Sequence, residues 1–91
     1  MPRFVVESYS SGAGIDEARD RARRTAELAD GVTYLRTMFL PADETALHVF
    51  DAPSAEVLGE AGLSAALPFQ RIVEAVEASE PSPGEEDVPA R

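Results

Sequence analysis

The 91-residue sequence contains no cysteine, no tryptophan and no lysine. Without cysteine the chain lacks disulfides, thiolate nucleophiles, zinc knuckles and iron–sulfur ligands. No stretch approaches the roughly 20 consecutive apolar residues that a membrane helix requires. The first six residues run into a short apolar segment without a basic leader. We therefore expect a cytoplasmic chain that has no membrane partner.

Basic residues are also scarce, with eight arginines against seventeen acidic residues and a net charge of -9. This charge repels nucleic acid, so we expect no nucleic-acid partner. The densest basic segment is residues 19–24, where Glu17 precedes Arg21 and Asp20 precedes Arg24 by four positions. That spacing predicts surface ion pairs along a helix rather than a phosphate-binding patch.

Hydrophobic periodicity divides the chain into six elements in the order βαββαβ. The predicted strands are residues 3–9, 32–40, 45–51 and 69–77, and the predicted helices are residues 16–30 and a segment that follows the N-cap Ser54. A tight turn at residues 41–44 joins the second and third strands into a hairpin. This order predicts an α+β domain over residues 1–78, with both helices on one face of a four-stranded antiparallel sheet. Residues 79–91 form a proline-containing acidic tail that we predict to be disordered.

Alternation along the strands predicts which side chains lie on the sheet face that the helices leave open. We assign Phe4, Val6, Leu35, Phe39, Leu47 and Val49 to the helix face, and Val5, Glu7, Tyr9, Tyr34, Arg36, Met38, Ala46, His48 and Phe50 to the open face. An open face this apolar is typical of an interface or a ligand cleft. We therefore predict a homodimer that packs through the open sheet faces and encloses a polar pocket.

His48 and Glu7 would be neighbours on this open face if the first and third strands are adjacent, and Glu74 of the last strand is a third candidate. Imidazole and carboxylates are ligands for zinc, nickel or copper, and the same pair suits proton transfer. The alternative is that His48 and Glu7 form a hydrogen-bonded pair inside a dimer interface and bind neither a metal nor a substrate. Arg36 either pairs with Glu7 or recognises a ligand carboxylate.

Several short blocks across residues 2–77 carry a resemblance to a known family. They are residues 2–7 (PRFVVE), 34–37 (YLRT), 41–45 (PADET), 49–56 (VFDAPSAE), 67–69 (LPF) and 71–75 (RIVEA). With these blocks the chain resembles an uncharacterised bacterial family typified by a small nickel-binding protein with a ferredoxin-like fold. The family pattern places cysteines around positions 46 and 48, where this chain has Ala46 and His48. His48 either replaces a sulfur ligand with a nitrogen ligand, or the site is lost.

The resemblance implies a ferredoxin-like homodimer that binds Ni²⁺ or another divalent transition metal, and it implies no known reaction. His48, Glu7 and Glu74 are the metal ligands that we predict, and no organic cofactor is expected. Related dimeric α+β barrels include small monooxygenases, so a small-molecule-binding or monooxygenase-like enzyme is the alternative function. A passive dimerisation module is the third possibility. The sequence leaves open whether the chain is an enzyme.

Overall fold

The structure is a computed structural model that describes residues 1–76 of the chain. The strands are β1 (Arg3–Tyr9), β2 (Thr33–Leu40), β3 (Thr45–Asp51) and β4 (Arg71–Ala75), and the helices are α1 (Ile15–Glu27) and α2 (Ala55–Ser64). The element order confirms the predicted βαββαβ arrangement, which is the α+β ferredoxin-like fold. The predicted tail, residues 79–91, lies outside the described residues.

The four strands form one antiparallel sheet in the order β2-β3-β1-β4. The first strand therefore lies between the third and the fourth, as the prediction for Glu7 and His48 required. Val6 in the middle of β1 is opposite His48 on one side and Ile72 on the other. The edge strands are β2 and β4.

Several element boundaries differ from the predictions by one to three residues, and two of these differences have local causes. The first helix ends at Glu27 rather than at residue 30, and the chain turns toward β2 at Gly31, whose φ of 81° is readily adopted only by glycine. The last strand begins at Arg71 rather than at residue 69. Phe69 packs instead against α2, where a Cβ added to Gly62 would lie 3.4 Å from the Phe69 ring. Ser54 is the N-cap of α2, as predicted, and its side chain accepts a hydrogen bond from the Val57 N–H.

The core lies between the helices and one face of the sheet. Its buried cluster comprises Phe4, Val6, Ala22, Val32, Phe50, Ala52, Leu58 and Leu67. Six of the thirteen buried hydrophobic residues described are alanine, and α1 buries only Ala18, Ala22 and Thr25. These small side chains let α1 lie close to the sheet, but they remove little apolar area from water. The described part of the chain therefore has a small core.

The predicted face of β3 was wrong. Phe50, His48 and Ala46 lie opposite Phe4, Val6 and Ser8, and residues that face each other across an antiparallel pair share one side of the sheet. All six side chains are buried on the helix side. Leu47 and Val49 consequently lie on the open face. Tyr34 also moves to the helix side, because a bulge between Tyr34 and Arg36 shifts the alternation of β2 by one residue.

Candidate functional site

The three predicted metal ligands do not come together. Glu7 lies on the open face, where its carboxylate pairs with Arg71 at 3.0 Å. His48 is fully buried on the opposite, helix-side face. Glu74 is exposed on edge strand β4 opposite Phe4, with β1 between it and His48. Within residues 1–76 no group of three or more His, Asp and Glu side chains could hold a metal ion.

The structure instead brings His48 into a short line of polar groups with Thr37 and Tyr34. Thr37 is opposite His48 across the β2–β3 pairing, and its hydroxyl lies 2.7 Å from His48 Nδ1. The Tyr34 hydroxyl lies 2.6 Å from the same threonine oxygen. The second ring nitrogen, His48 Nε2, is buried without a hydrogen-bond partner among the described residues. The line connects the edge strand β2 to the interior, and we call it the Tyr34–Thr37–His48 chain.

Burial lowers the pKa of His48 to about 4, so the imidazole is neutral at pH 7. A neutral imidazole has one donor nitrogen and one acceptor nitrogen. If Nδ1 accepts from Thr37, then Thr37 accepts from Tyr34. The Tyr34 hydroxyl proton is then donated to Thr37 and is not available to a ligand. If Nδ1 donates, then Thr37 donates to Tyr34, and the tyrosine hydroxyl can donate to another group. The Tyr34–Thr37–His48 chain therefore has two arrangements of its protons. They differ in whether the Tyr34 hydroxyl can donate a hydrogen bond to a ligand.

A cleft of about 400 Å³ lies between α1 and β2, next to this chain of hydroxyls. Its polar lining consists of three arginines, Arg19, Arg23 and Arg36, with Tyr34 and Thr37. The apolar lining is contributed by Ile15, Leu35 and Phe39. The guanidinium carbon of Arg23 lies 5.8 Å from the centre of the Tyr34 ring, a cation–π distance. Among the described residues no carboxylate lines the cleft.

The open sheet face carries apolar side chains with charged groups around them. Met38 and Val73 are 43% and 37% exposed. A shallow depression of about 190 Å³ on this face is lined by Arg3, Val5, Arg36, Met38, Val49, Ala75 and Val76. Of the predicted open-face residues, Val5, Glu7, Tyr9, Arg36 and Met38 lie there, whereas Tyr34, Ala46, His48 and Phe50 do not.

Of the two roles predicted for Arg36, the pairing with Glu7 was wrong. Glu7 pairs with Arg71 on the neighbouring strand, and Arg36 has no ion pair within residues 1–76. The α1 ion pairs were predicted in part. Arg21 pairs with Glu17 at 2.6 Å as the spacing indicated, but Asp20 pairs with Arg23 at 3.2 Å and not with Arg24.

Comparison with family models and with curated proteins finds no match. Among solved structures, the chain is similar to the crystal structure of SCO4226 from Streptomyces coelicolor A3(2). The TM-score is 0.65 at 16% sequence identity, over 85% of this chain and 99% of the other. This likeness shows the fold. In the part of the chain that the structure describes, no helix is both long and apolar enough to span a bilayer.

Sequence reasoning missed Thr37 and placed Tyr34 on the wrong face, although a signal for Thr37 was available. The tight turn at residues 41–44 places Leu40 opposite Thr45. Three residues further from the turn on each strand, Thr37 lies opposite His48. A hydroxyl directly across from a histidine is a hydrogen-bond partner on the same face. The position of Tyr34 depends on the bulge, for which the sequence has no clear signal.

Proposed function

We propose that this chain is a small homodimeric ligand-binding protein whose two open sheet faces pack against each other and enclose a pocket. The observation that carries the proposal is the open face itself. Its depression combines the apolar side chains of Val5, Met38 and Val49 with the guanidinium groups of Arg3 and Arg36. Apolar surface next to a few polar groups is the usual composition of a small-molecule site. A cytoplasmic location is part of the proposal and is tested by cell fractionation.

A second copy of the chain suits this face for two reasons. The core of one protomer is small and rich in alanine, so burial of Met38 and Val73 would add stability that the protomer lacks. The face also carries both signs of charge, in the ion pairs of Arg3 with Asp51 and of Arg71 with Glu7. A two-fold interface must be complementary to itself, and a face with both signs can meet this condition.

Val73→Asp is expected to weaken the homodimer roughly tenfold or more, because pairing would bury an unpaired carboxylate. Sedimentation velocity over a range of protein concentrations measures the dissociation constant. The matched control is Leu63→Asp, since Leu63 on α2 is 72% exposed and the charge change is the same. The proposal fails if the wild type is a monomer at micromolar concentration, or if both variants dissociate equally. Circular dichroism checks that each variant is folded.

A transition-metal role is the second candidate function. It is favoured by His48 Nε2, which is buried, belongs to a neutral imidazole and has no hydrogen-bond partner in residues 1–76. A neutral imidazole nitrogen is the form that binds Ni²⁺. Glu7 lies on the opposite face of the sheet from His48, and Glu74 lies two strands away from it, so this candidate function assigns them no part in binding.

For this candidate function, Ni²⁺ titrated into chelator-stripped protein is expected to bind stoichiometrically. Binding is expected to disappear in His48→Gln, which removes the ring nitrogen but keeps a polar side chain. Glu7→Gln and Glu74→Gln are expected to bind Ni²⁺ as the wild type does. Isothermal titration calorimetry makes the measurement. Absence of saturable binding in the wild type, or unchanged binding in His48→Gln, would remove the metal role.

A further inference from the structure

We propose that the cleft between α1 and β2 binds a small organic acid, with the carboxylate held by arginines and the apolar body against Ile15 and Phe39. This site is separate from the pocket proposed between the open sheet faces, because it lies between the sheet and a helix. Arg36, on the edge strand, borders both. Because the other lining residues differ, one proposal can fail while the other holds.

The charge in the cleft is opposite to that of the whole chain. The sequence has a net charge of -9, yet Arg19, Arg23 and Arg36 line this cleft and no described carboxylate does. Seven arginines lie within residues 1–76, so nearly half of them are at one cleft. Guanidinium groups that converge on one cleft raise the local positive potential, which attracts anions. The lining therefore favours a negatively charged ligand.

The existing ion pairs of these arginines leave them able to bind an anion. Arg19 lies 3.7 Å from Asp16, whose side chain is 90% exposed, and Arg23 lies 3.2 Å from Asp20, whose side chain is 75% exposed. Exposed pairs of this kind contribute little and exchange readily with solvent. Arg36 has no ion pair among the residues that the structure describes.

The remaining lining of the cleft favours an organic acid over an inorganic anion. A volume of about 400 Å³ lies in the range of small-molecule sites, and Ile15, Leu35 and Phe39 provide apolar walls. Guanidinium groups bind carboxylates through two parallel hydrogen bonds. Tyr34 can add a hydroxyl donor when Thr37 donates toward it, which is one of the two proton arrangements of the Tyr34–Thr37–His48 chain.

The test is a titration of isotope-labelled protein with benzoate, followed by the amide signals in two-dimensional NMR spectra. Saturable shifts are expected in residues 15–23 and 34–39, and benzamide, which has the same shape without the charge, is expected to produce none. Arg23→Gln is expected to raise the dissociation constant about tenfold. Arg24→Gln is the matched control, because Arg24 is an exposed neighbour on α1 that does not line the cleft.

Three results would overturn the proposal. The first is benzoate shifts that are absent or that map to Val5 and Val73 on the open face. The second is an equal loss of affinity in Arg23→Gln and Arg24→Gln, which would indicate attraction by general charge. The third is inorganic phosphate binding in the cleft as tightly as benzoate, which would contradict the organic-acid class.

Discussion

Replacement of Phe50 by alanine is expected to lower the free energy of unfolding by about 4 kcal/mol, because it removes a large buried ring and leaves a cavity. Phe50 is fully buried, and its ring packs edge-on to Tyr34 with centroids 5.6 Å apart. Natural domains have a total stability of about 5–15 kcal/mol, so this single change should leave the chain barely folded. Urea unfolding at a fixed protein concentration measures the loss, since the stability of the proposed homodimer would depend on concentration.

The control for Phe50→Ala is Leu63→Ala. Leu63 is 72% exposed on α2, and its truncation is expected to change stability by no more than about 0.5 kcal/mol. A loss below about 1 kcal/mol for Phe50→Ala would contradict the structure, because buried phenylalanines cost several times more. It would mean that the Phe50 ring is not buried in the core.

Acidification from pH 7 to pH 4 is expected to cost the fold on the order of 3 kcal/mol through His48 alone. Burial lowers the pKa of His48 from 6.5 to about 4 in the folded chain, whereas the unfolded chain keeps the ordinary value. Between these two values the unfolded chain binds more protons, so stability rises with pH. The contribution is fully present above pH 6.5 and is lost as the pH falls toward 4.

The single histidine makes this prediction direct to measure. The imidazole proton resonances report the pKa of His48 in the folded protein, and urea unfolding at several pH values reports the slope of stability. His48→Gln is expected to flatten the slope between pH 4 and 6.5. Asp51→Asn is expected to preserve it, because Arg3 lowers the pKa of Asp51 and so confines that contribution to pH values below about 4. An NMR titration midpoint near 6.5 would show that His48 is hydrated.

The order of elements could be predicted because the sequence marks several boundaries with residues of known conformational preference. Ser54 caps α2, Gly31 ends the turn after α1, and the turn at Pro41 joins the hairpin. The N-terminal strand alternates clearly, with Phe4 and Val6 inward and Glu7 outward. Where local chemistry specifies the backbone, the predictions and the structure agree.

The face of β3 could not be predicted, because this strand is apolar on both sides. Leu47 and Val49 are as suitable for a core as Ala46 and Phe50, so alternation alone leaves the phase undecided. Pairing with β1 decides it, since Phe50 lies opposite Phe4. Because the alternation of β3 was assigned to the wrong faces, His48 was placed on the open face. The predicted site with Glu7 depended on that placement.

The cleft was missed because the arginines of α1 were considered only along the helix. Spacing correctly predicted the pair of Glu17 and Arg21, but it gives no information on which side chains face another element. Arg19 and Arg23 lie four residues apart on one side of α1, and β2 brings Arg36 to the same recess. This convergence of one helix and one strand is a tertiary property.

The most direct test of the proposed function is an isotope-filtered NMR experiment on a dimer assembled from labelled and unlabelled chains. Methyl groups of Val5, Met38 and Val73 lie on the open face and are expected to show contacts between the two chains. Such contacts would establish that the open sheet faces pack together. Intermolecular contacts confined to α1 and α2, or none at all, would contradict the proposed homodimer.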